Sequence, residues 1–325
     1  MKKILLIATG GTIASLPSDT GLSPELTSEE LLKSVPEIGT FCTVSTLQLF
    51  NLDSTNMSYR EWIKIAETVE REYDNYDGFV VTHGTDTMAY AAATLSYLIQ
   101  GNGKPVVLTG SQKSIADRDT DARNNLKNSF LYACSERACG VKLVFDGKVI
   151  LGTRARKTRT KSFNAFSSVD YPAIGVFSGN RFISYIEETR SGVRFYKNLD
   201  PSVFLLRLIP GMRTDIFGYL SHHSKVVVIE SFGVGGIPYY ENADFAAGLE
   251  KLILAGVKVI VTTQVPHEGS DMSVYRVGYK IKQKYELIEA FDMTTECVIA
   301  KSMWALAQNG DFKTLFSTPV SRDIL

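Results

Sequence analysis

The sequence contains few residues that could cross-link the chain or bind a metal ion. Its four cysteines show no CxxC spacing, and its four histidines show neither HxxxH nor HExxH spacing. Disulfide frameworks and zinc sites depend on such spacings. We therefore predict a chain without disulfides, metal or other cofactor, in a reducing compartment such as the cytoplasm.

An excess of one charge is also missing, since 35 lysines and arginines balance 35 aspartates and glutamates. A neutral chain has no overall field that attracts nucleic acid or an anionic membrane. No stretch reaches the roughly 20 apolar residues that a membrane helix needs. The opening MKKILLIATGG imitates a signal peptide, but Gly10 and Gly11 interrupt its apolar run, so we interpret it as a first strand. The expected partner is a small molecule, with no nucleic acid and no membrane.

Short apolar runs rich in β-branched residues alternate with amphipathic helical patterns along the chain. Runs without internal alternation are typical of parallel strands that are buried on both faces. They predict an α/β fold of two wound domains, a larger N-terminal one with a mostly parallel sheet and a smaller C-terminal one with a parallel sheet. In the first half the predicted strands are 2–9, 78–82, 104–110 and 141–146, and the predicted helices are 60–73, 87–100 and 121–136.

The helical pattern lapses in a polar stretch after residue 184, which indicates a domain boundary. We predict an N-terminal domain over 1–185, a linker over 186–215 and a C-terminal domain over 216–325. The predicted C-terminal domain repeats the order strand, helix, strand, in 225–233, 242–256 and 257–264.

Small hydroxyl residues follow four strands of the N-terminal half. In parallel α/β sheets the ligand binds beyond the carboxyl ends of the strands, so these residues are the first candidates for a site. They lie in TGGT with Thr12, FNLDST with Ser54 and Thr55, THGTDTM with Thr85 and Asp86, and TGSQ with Ser111 and Gln112.

The residues around Thr12 allow two interpretations. Gly10 and Gly11 permit unusual backbone angles and close approach of a substrate, and a hydroxyl there can attack a carbonyl once a base removes its proton. Alternatively, the glycines form an ordinary turn and the threonine caps it. The motif has neither the GxGxxG nor the GxxxxGKS pattern, which disfavours a nucleotide site.

The THGTDTM turn and a later basic segment leave similar alternatives. Asp86 or a neighbouring threonine is placed to cap a helix, but a carboxylate kept charged at a helix N-terminus can also hold an ammonium group. The basic segment 152–163 is typical of a solvated loop, yet one lysine turned inward beside an acid and a threonine would form a proton relay. These residues alone do not choose the lysine.

Taken together, ATGGTIAS, NLDSTNM, VVTHGTDTMAYAA, VVLTGSQ, GTRARKTRTKSFNAF and ESFGVGGIP resemble, in this order, the bacterial L-asparaginases, most closely the cytoplasmic type I kind. The resemblance spans nearly the whole chain, and the pair TGGTIAS and THGTDTM is specific for the asparaginase and glutaminase family. It implies a larger N-terminal and a smaller C-terminal α/β domain, assembled as a homodimer or homotetramer with the active site near the subunit interface.

The resemblance also implies residue roles. Thr12 and Thr85 match the two threonines of the family's nucleophile sites, and Asp86 and Lys157 match its acid and lysine. Ser54 matches the residue that holds the substrate α-carboxylate, and Asp86 also faces the α-ammonium. The implied reaction is hydrolysis of L-asparagine to L-aspartate and ammonia through a threonine-linked acyl-enzyme, without a cofactor. The expected substrate-binding positions are Ser54, Thr55, Asp86 and Ser111.

Three positions depart from the pattern of other family members. Leu22 stands where many have a lid tyrosine, Thr55 stands where the periplasmic kind often has glutamine, and Gly236 stands where some have asparagine. The segment 15–30 nonetheless has the composition of a mobile lid, with an ordinary surface loop as the alternative.

Two other functions remain as alternatives to an asparagine hydrolase. One is an ammonia-supplying subunit of a transfer-RNA amidotransferase. Such subunits carry an extra N-terminal domain, whereas the nucleophile motif begins here at residue 9, so we expect the hydrolase. The other is an amino-acid sensor that binds without turnover.

Overall fold

The computed structural model describes residues 1–18, 21–238, 243–274 and 276–325 and divides the chain into two compact units, 1–197 and 198–325. In the first unit the helices are α1 (Ser28–Lys33), α2 (Tyr59–Glu72), α3 (Met88–Leu98) and α4 (Ala122–Ala133). Its strands are β1 (Lys2–Gly10), β2 (Ser15–Ser18), β3 (Gly21–Pro24), β4 (Cys42–Leu52), β5 (Gly78–Thr82), β6 (Ile99–Gln100), β7 (Val106–Thr109), β8 (Val141–Phe145), β9 (Lys148–Leu151), β10 (Ala155–Lys157), β11 (Phe166–Ser168), β12 (Gly175–Ser178), β13 (Arg181–Ser184) and β14 (Arg194–Phe195).

The first unit is built on an eight-stranded sheet in the order β13-β12-β9-β8-β7-β5-β1-β4. Five neighbouring strands, from β8 to β4, run parallel, while β9, β12 and β13 continue the sheet antiparallel. The central strands β5, β7 and β8 are buried at every residue, as their unbroken apolar runs predict. The mostly parallel sheet expected for this half is therefore confirmed.

One hydrophobic core cluster of the first unit lies between this sheet and helix α4. Leu6, Val80 and Val107 project from β1, β5 and β7 into one cluster with Leu126 and Phe130 of α4, and all five are fully buried. Helix α2 begins at a capping box of Ser58 and Glu61. Such packing holds the carboxyl ends of the parallel strands in fixed positions.

The second unit is a smaller α/β unit with a four-stranded parallel sheet, in the order β15-β16-β17-β18. Its own core cluster includes Leu206, Ile229 and Phe245. The predicted smaller domain with a parallel sheet is confirmed. Its strands are β15 (Val203–Arg207), β16 (Val226–Ser231), β17 (Lys258–Thr263) and β18 (Ile288–Glu289), and its helices are α5 (Ile216–His223), α6 (Ala243–Leu254), α7 (Arg276–Tyr285), α8 (Thr295–Leu306) and α9 (Phe312–Ser317).

The range 186–215, which the sequence marks as a linker, contains two strands in the structure. β14 pairs with β6 of the first unit, and β15 pairs with β16 of the second, so the division between the units falls at 197/198. A two-residue strand such as β14 has no periodicity to read from the sequence. β15 lies in the apolar run VFLLR, which belongs to the second sheet. None of the described helices is both long and apolar enough to cross a membrane.

Candidate active site

Four turns meet at the carboxyl edge of the parallel sheet. They follow β1, β4, β5 and β7, which are neighbours in the sheet. The strand ends are level with one another, because Gly10 lies opposite Leu52 and Thr82 lies opposite both Ala8 and Thr109. The four polar motifs, which are far apart in the sequence, are therefore brought to one edge, as expected for a ligand site of this fold.

Two glycines bring three of these turns into direct contact. Gly11 has φ +81°, and a Cβ placed on it would lie 2.4 Å from the Cα of Gly84. A Cβ on Gly84 would in turn lie 2.7 Å from Ser54 Oγ. Such close approach leaves room only for hydrogen at both positions. Thr12 and Thr85 directly follow the two glycines of this contact.

Thr12 begins a short 3₁₀ turn, Thr12–Ala14, and is half-buried. The turn is fixed by backbone hydrogen bonds, since Gly11 N–H donates to Leu52 O at 2.9 Å and Ala14 N–H donates to Gly11 O at 3.0 Å. The turn has no side-chain cap, and the first α-helix begins only at Ser28. The capping interpretation of Thr12 is therefore wrong, and its hydroxyl is not committed to supporting a helix.

Thr85, Lys157 and Asp86 form a chain of hydrogen bonds. Lys157 Nζ donates to Thr85 Oγ1 at 2.8 Å and to Asp86 Oδ1 at 2.5 Å. The lysine side chain is 16% exposed, and the aspartate is 59% exposed. Lys157 ends β10, which pairs with β11 so that Lys157 lies opposite Phe166. Among the lysines of segment 152–163, Lys157 is the one turned inward, beside an acid and a threonine.

The helix-capping interpretation of the THGTDTM turn is also wrong. Thr87 occupies the N-cap position of α3, but no side chain caps that helix. The Thr87 hydroxyl instead donates to Ser54 O at 2.8 Å, and Asp86 pairs with Lys157. The polar side chains of this turn therefore serve tertiary contacts within the site.

Ser54 and Thr55 follow β4 and differ in their surroundings. Ser54 is 1% exposed and lies against Gly84, as described above. Thr55 is exposed, and its hydroxyl donates to Asp53 Oδ1 at 3.0 Å. The Asp53 carboxylate also accepts the Thr55 N–H at 2.9 Å, which fixes the turn. Of the two residues, Ser54 is the one in contact with the Thr85 turn.

The turn after β7 carries Ser111 and Gln112, both candidates from the sequence, and brings in Asp121, to which the sequence assigned no role. Ser111 is buried, and its hydroxyl donates to Lys113 O. Gln112 Oε1 accepts the Thr85 hydroxyl at 3.2 Å, and the Gln112 N–H donates to Asp121 Oδ2 at 3.0 Å. Asp121 stands at the start of a predicted helix, but only the tertiary fold joins it to the TGSQ turn.

His83 is a buried, uncharged histidine that contacts the Thr85 turn. It is fully buried at the end of β5, and its Nδ1 lies 2.8 Å from Gly84 O. Desolvation lowers the pKa of His83 to about 4, against a smaller opposing effect of its hydrogen bond to Gly84. At neutral pH the imidazole is therefore neutral and donates through Nδ1 to the turn that carries Thr85.

The expected lid begins as an antiparallel hairpin of β2 and β3. Ala14 O, at the end of the Thr12 turn, accepts the N–H groups of both Glu25 and Leu26 at 2.9 Å, so the chain that leaves the hairpin is hydrogen-bonded back to that turn. Residues 19 and 20 and the side chain of Leu22 lie outside the part of the chain that the structure describes. Gly236, in the second unit, exchanges backbone hydrogen bonds with Phe232.

Comparison with known proteins identifies both halves of the chain. Residues 3–190 match the asparaginase N-terminal domain, and residues 202–316 match the glutaminase/asparaginase C-terminal domain. The chain is 33% identical to the L-asparaginase of Thermococcus kodakarensis, over 96% of this chain and 95% of that protein. The solved structure of the thermostable L-asparaginase from that organism superimposes with a TM-score of 0.92, at 32% identity and 99% coverage of both chains.

Further relatives widen the range of sources and activities. L-asparaginase 1 of Escherichia coli is 31% identical over 97% of this chain and 94% of that protein. A glutamyl-tRNA(Gln) amidotransferase subunit of Pyrococcus abyssi is 35% identical over 94% of this chain and 72% of that protein. The relatives thus include archaeal proteins as well as a bacterial one. They place this chain in the family, but they do not assign it to the bacterial branch that the sequence resemblance suggested.

Proposed function

Since this chain belongs to the asparaginase and glutaminase family, we propose that it hydrolyses L-asparagine to L-aspartate and ammonia through an aspartyl ester on Thr12. The observation that carries the proposal is the contact between the Gly11 and Gly84 turns. Thr12 and Thr85 directly follow these two glycines, and Lys157 donates hydrogen bonds to both Thr85 and Asp86. A nucleophile next to a proton-transfer group is the arrangement that acyl transfer requires.

The reaction proceeds in two halves. Thr12 Oγ1 attacks the side-chain amide carbon, its proton passes to the nitrogen, the carbon–nitrogen bond breaks and ammonia leaves. Water then attacks the ester carbon, the bond to Thr12 Oγ1 breaks, and a proton from the water restores the hydroxyl. The Thr85 hydroxyl, held by Lys157 and Asp86, accepts a hydrogen bond from the attacking hydroxyl in both halves, as the proton of that hydroxyl moves to the departing group.

Substrate recognition falls to the turns around this centre. Asp86 supplies a carboxylate for the substrate α-ammonium, and Ser54 supplies a buried hydroxyl for the α-carboxylate. Thr55 and Ser111 belong to the same turns and complete the proposed binding set. We further propose a cytoplasmic homodimer or homotetramer, as the sequence resemblance to the type I L-asparaginases implies.

The test is ammonia release by the purified protein with asparagine and, separately, with glutamine. Thr12→Ala and Thr85→Ala should each remove most of the turnover while the protein stays folded. Thr40→Ala is the matched control, because Thr40 is exposed and its hydroxyl donates to Glu37 O in its own turn. Unchanged turnover in a folded Thr12→Ala protein would contradict the nucleophile assignment.

The amidotransferase relatives support a second candidate, the supply of ammonia for amidation of transfer RNA. Selectivity between asparagine and glutamine separates the two, although one methylene is worth only about 1 to 3 kcal/mol. Efficient release of ammonia from free asparagine favours the first candidate. Release from glutamine that depends on an added partner protein and glutamyl-tRNA favours the second. Binding of asparagine without ammonia release would indicate a sensor.

A further inference from the structure

Gln112 determines where the proton of the Thr85 hydroxyl points. Thr85 Oγ1 accepts from Lys157 Nζ at 2.8 Å and donates to Gln112 Oε1 at 3.2 Å. A hydroxyl carries one proton and two lone pairs, and a lysine ammonium is a donor only. With its proton given to Gln112 and one lone pair taken by Lys157, Thr85 Oγ1 keeps its second lone pair for one further donor.

The other end of the Gln112 amide fixes its orientation. Gln112 Nε2 donates to Ser162 O at 3.2 Å. An inverted amide would place its oxygen against the Ser162 carbonyl oxygen, and two acceptors repel each other. The amide oxygen therefore faces Thr85. Ser162 lies in the segment that continues from β10 and Lys157, so Gln112 joins the Thr85 turn to the segment beside the lysine.

The main chain of Gln112 is hydrogen-bonded to the buried carboxylate of Asp121. Asp121, 8% exposed, accepts the Gln112 N–H with both oxygens, at 3.1 and 3.0 Å, and the Lys113 N–H at 3.1 Å. Asn125 Nδ2 donates to Asp121 Oδ2 at 3.1 Å and to Gly110 O at 3.0 Å, which ties the carboxylate to the end of the strand. Fixed at the backbone and at the tip of its side chain, Gln112 presents its oxygen to Thr85 in one position.

We propose that Gln112 is a positioning residue for the hydrolysis proposed above, on which this inference rests. By accepting the Thr85 proton, it leaves Thr85 Oγ1 as a hydrogen-bond acceptor toward the attacking hydroxyl, first of Thr12 and then of water. Without this acceptor the Thr85 proton is free to turn toward the nucleophile and to meet it as a competing donor. Gln112 acts through Thr85 and needs no contact with substrate.

The test compares two replacements of similar size. Gln112→Met removes both polar ends of the amide, whereas Gln112→Glu keeps the oxygen that accepts from Thr85. In steady-state ammonia release from asparagine, Gln112→Met should lower kcat about tenfold or more with KM changed less than about threefold, because the lost interaction orients a proton-transfer group. Gln308→Met is the control, since Gln308 Nε2 donates to Trp304 O within its own helix end.

The pH profile separates positioning from a merely structural role. In Gln112→Glu, a protonated carboxyl can donate to Ser162 O and accept the Thr85 proton, as the amide does, whereas an ionised one places an acceptor against the Ser162 carbonyl. The kcat of this variant should therefore be closest to that of the wild type at low pH and fall relative to it as pH rises. Thermal unfolding of each variant checks the fold. Wild-type kcat and pH profile in Gln112→Met, or losses in Gln112→Glu equal to those of Gln112→Met at every pH, would overturn the inference alone. A wild type that releases no ammonia would reject the proposed function, and this inference with it.

Discussion

Replacing Gly11 by alanine should disturb stability and activity together, because Gly11 is where the Thr12 and Thr85 turns touch. The added Cβ would lie 2.4 Å from both the Cα and the N of Gly84. That is about 1 Å short of ordinary van der Waals contact between heavy atoms. The neighbouring atoms belong to the backbone, which cannot rotate away as a flexible side chain does, so one of the two turns has to move.

Two costs add in this variant. Holding a non-glycine residue at the Gly11 backbone angles, φ +81° and ψ 177°, costs about 1 to 3 kcal/mol, because this region is essentially open to glycine alone. Overpacking a fully occupied site costs about 1 to 3 kcal/mol. We therefore expect Gly11→Ala to lose about 2 to 6 kcal/mol of unfolding free energy. If the turns separate by about 1 Å, turnover should fall about a hundredfold.

Gly147→Ala is the control for a positive φ without a close contact. Gly147 has φ +71°, and a Cβ there meets nothing within 4 Å. It lies in the same unit, so both variants report on the same unfolding transition. The expected loss is the strain alone, about 1 to 2 kcal/mol, with turnover unchanged.

Urea unfolding and ammonia release, measured on the same preparations, test whether the contact between the Gly11 and Gly84 turns supports both stability and turnover. Gly84→Ala provides a milder case, since its Cβ would press on the Ser54 hydroxyl at 2.7 Å, without a positive φ. A Gly11→Ala protein that is no less stable than Gly147→Ala and keeps full turnover would refute the contact between the turns as the basis of the site.

Three further outcomes follow from individual side chains. Lys157→Met should lower kcat by a factor of about 10² to 10⁴. Lys161 is exposed, so Lys161→Met should leave kcat unchanged. Equal effects of the two substitutions would argue against a proton relay through Lys157. Burial lowers the pKa of His83 to about 4, so its contribution to stability is complete above pH 6.5 and is lost as pH falls to 4. In urea titrations over that range, the wild type should lose up to about 3 kcal/mol more unfolding free energy than His83→Asn. Parallel curves of unfolding free energy against pH would contradict this. A hydrogen bond from the Cys42 thiol lowers the pKa of the half-buried Cys134. Iodoacetamide should therefore label Cys134 before the three buried thiols. Equal rates of labelling at all four cysteines in peptide mass spectra would contradict this.

Strong local sequence patterns made most of the fold predictable. Where a strand has no such pattern, as in the predicted linker, the prediction missed it. The unbroken apolar runs of β1, β5 and β8 predicted buried parallel strands, and helical patterns predicted α2 to α4, although α3 is buried almost all round and is not amphipathic as expected. The two-residue β14 has no such pattern, because its pairing with β6 is formed only by the tertiary fold.

The site shows the same division between local and long-range information. Its turns could be placed because each follows a strand. Choosing Lys157 among neighbouring basic residues required either the family resemblance or the fold, since burial beside Thr85 is a long-range property. Gln112 and Asp121 acquire their roles only through contacts across turns, which no spacing in the sequence records.

The central claim is that Thr12 carries the acyl group. Its most direct test is rapid mixing of the enzyme with asparagine, acid quenching within one turnover, and peptide mass spectrometry. We predict a peptide from residues around Thr12 that has gained one aspartyl group, with the ester on the Thr12 oxygen and none in Thr12→Ala. An adduct on Thr85 instead, or turnover that leaves every hydroxyl unmodified under conditions that slow hydrolysis of the ester, would contradict the account.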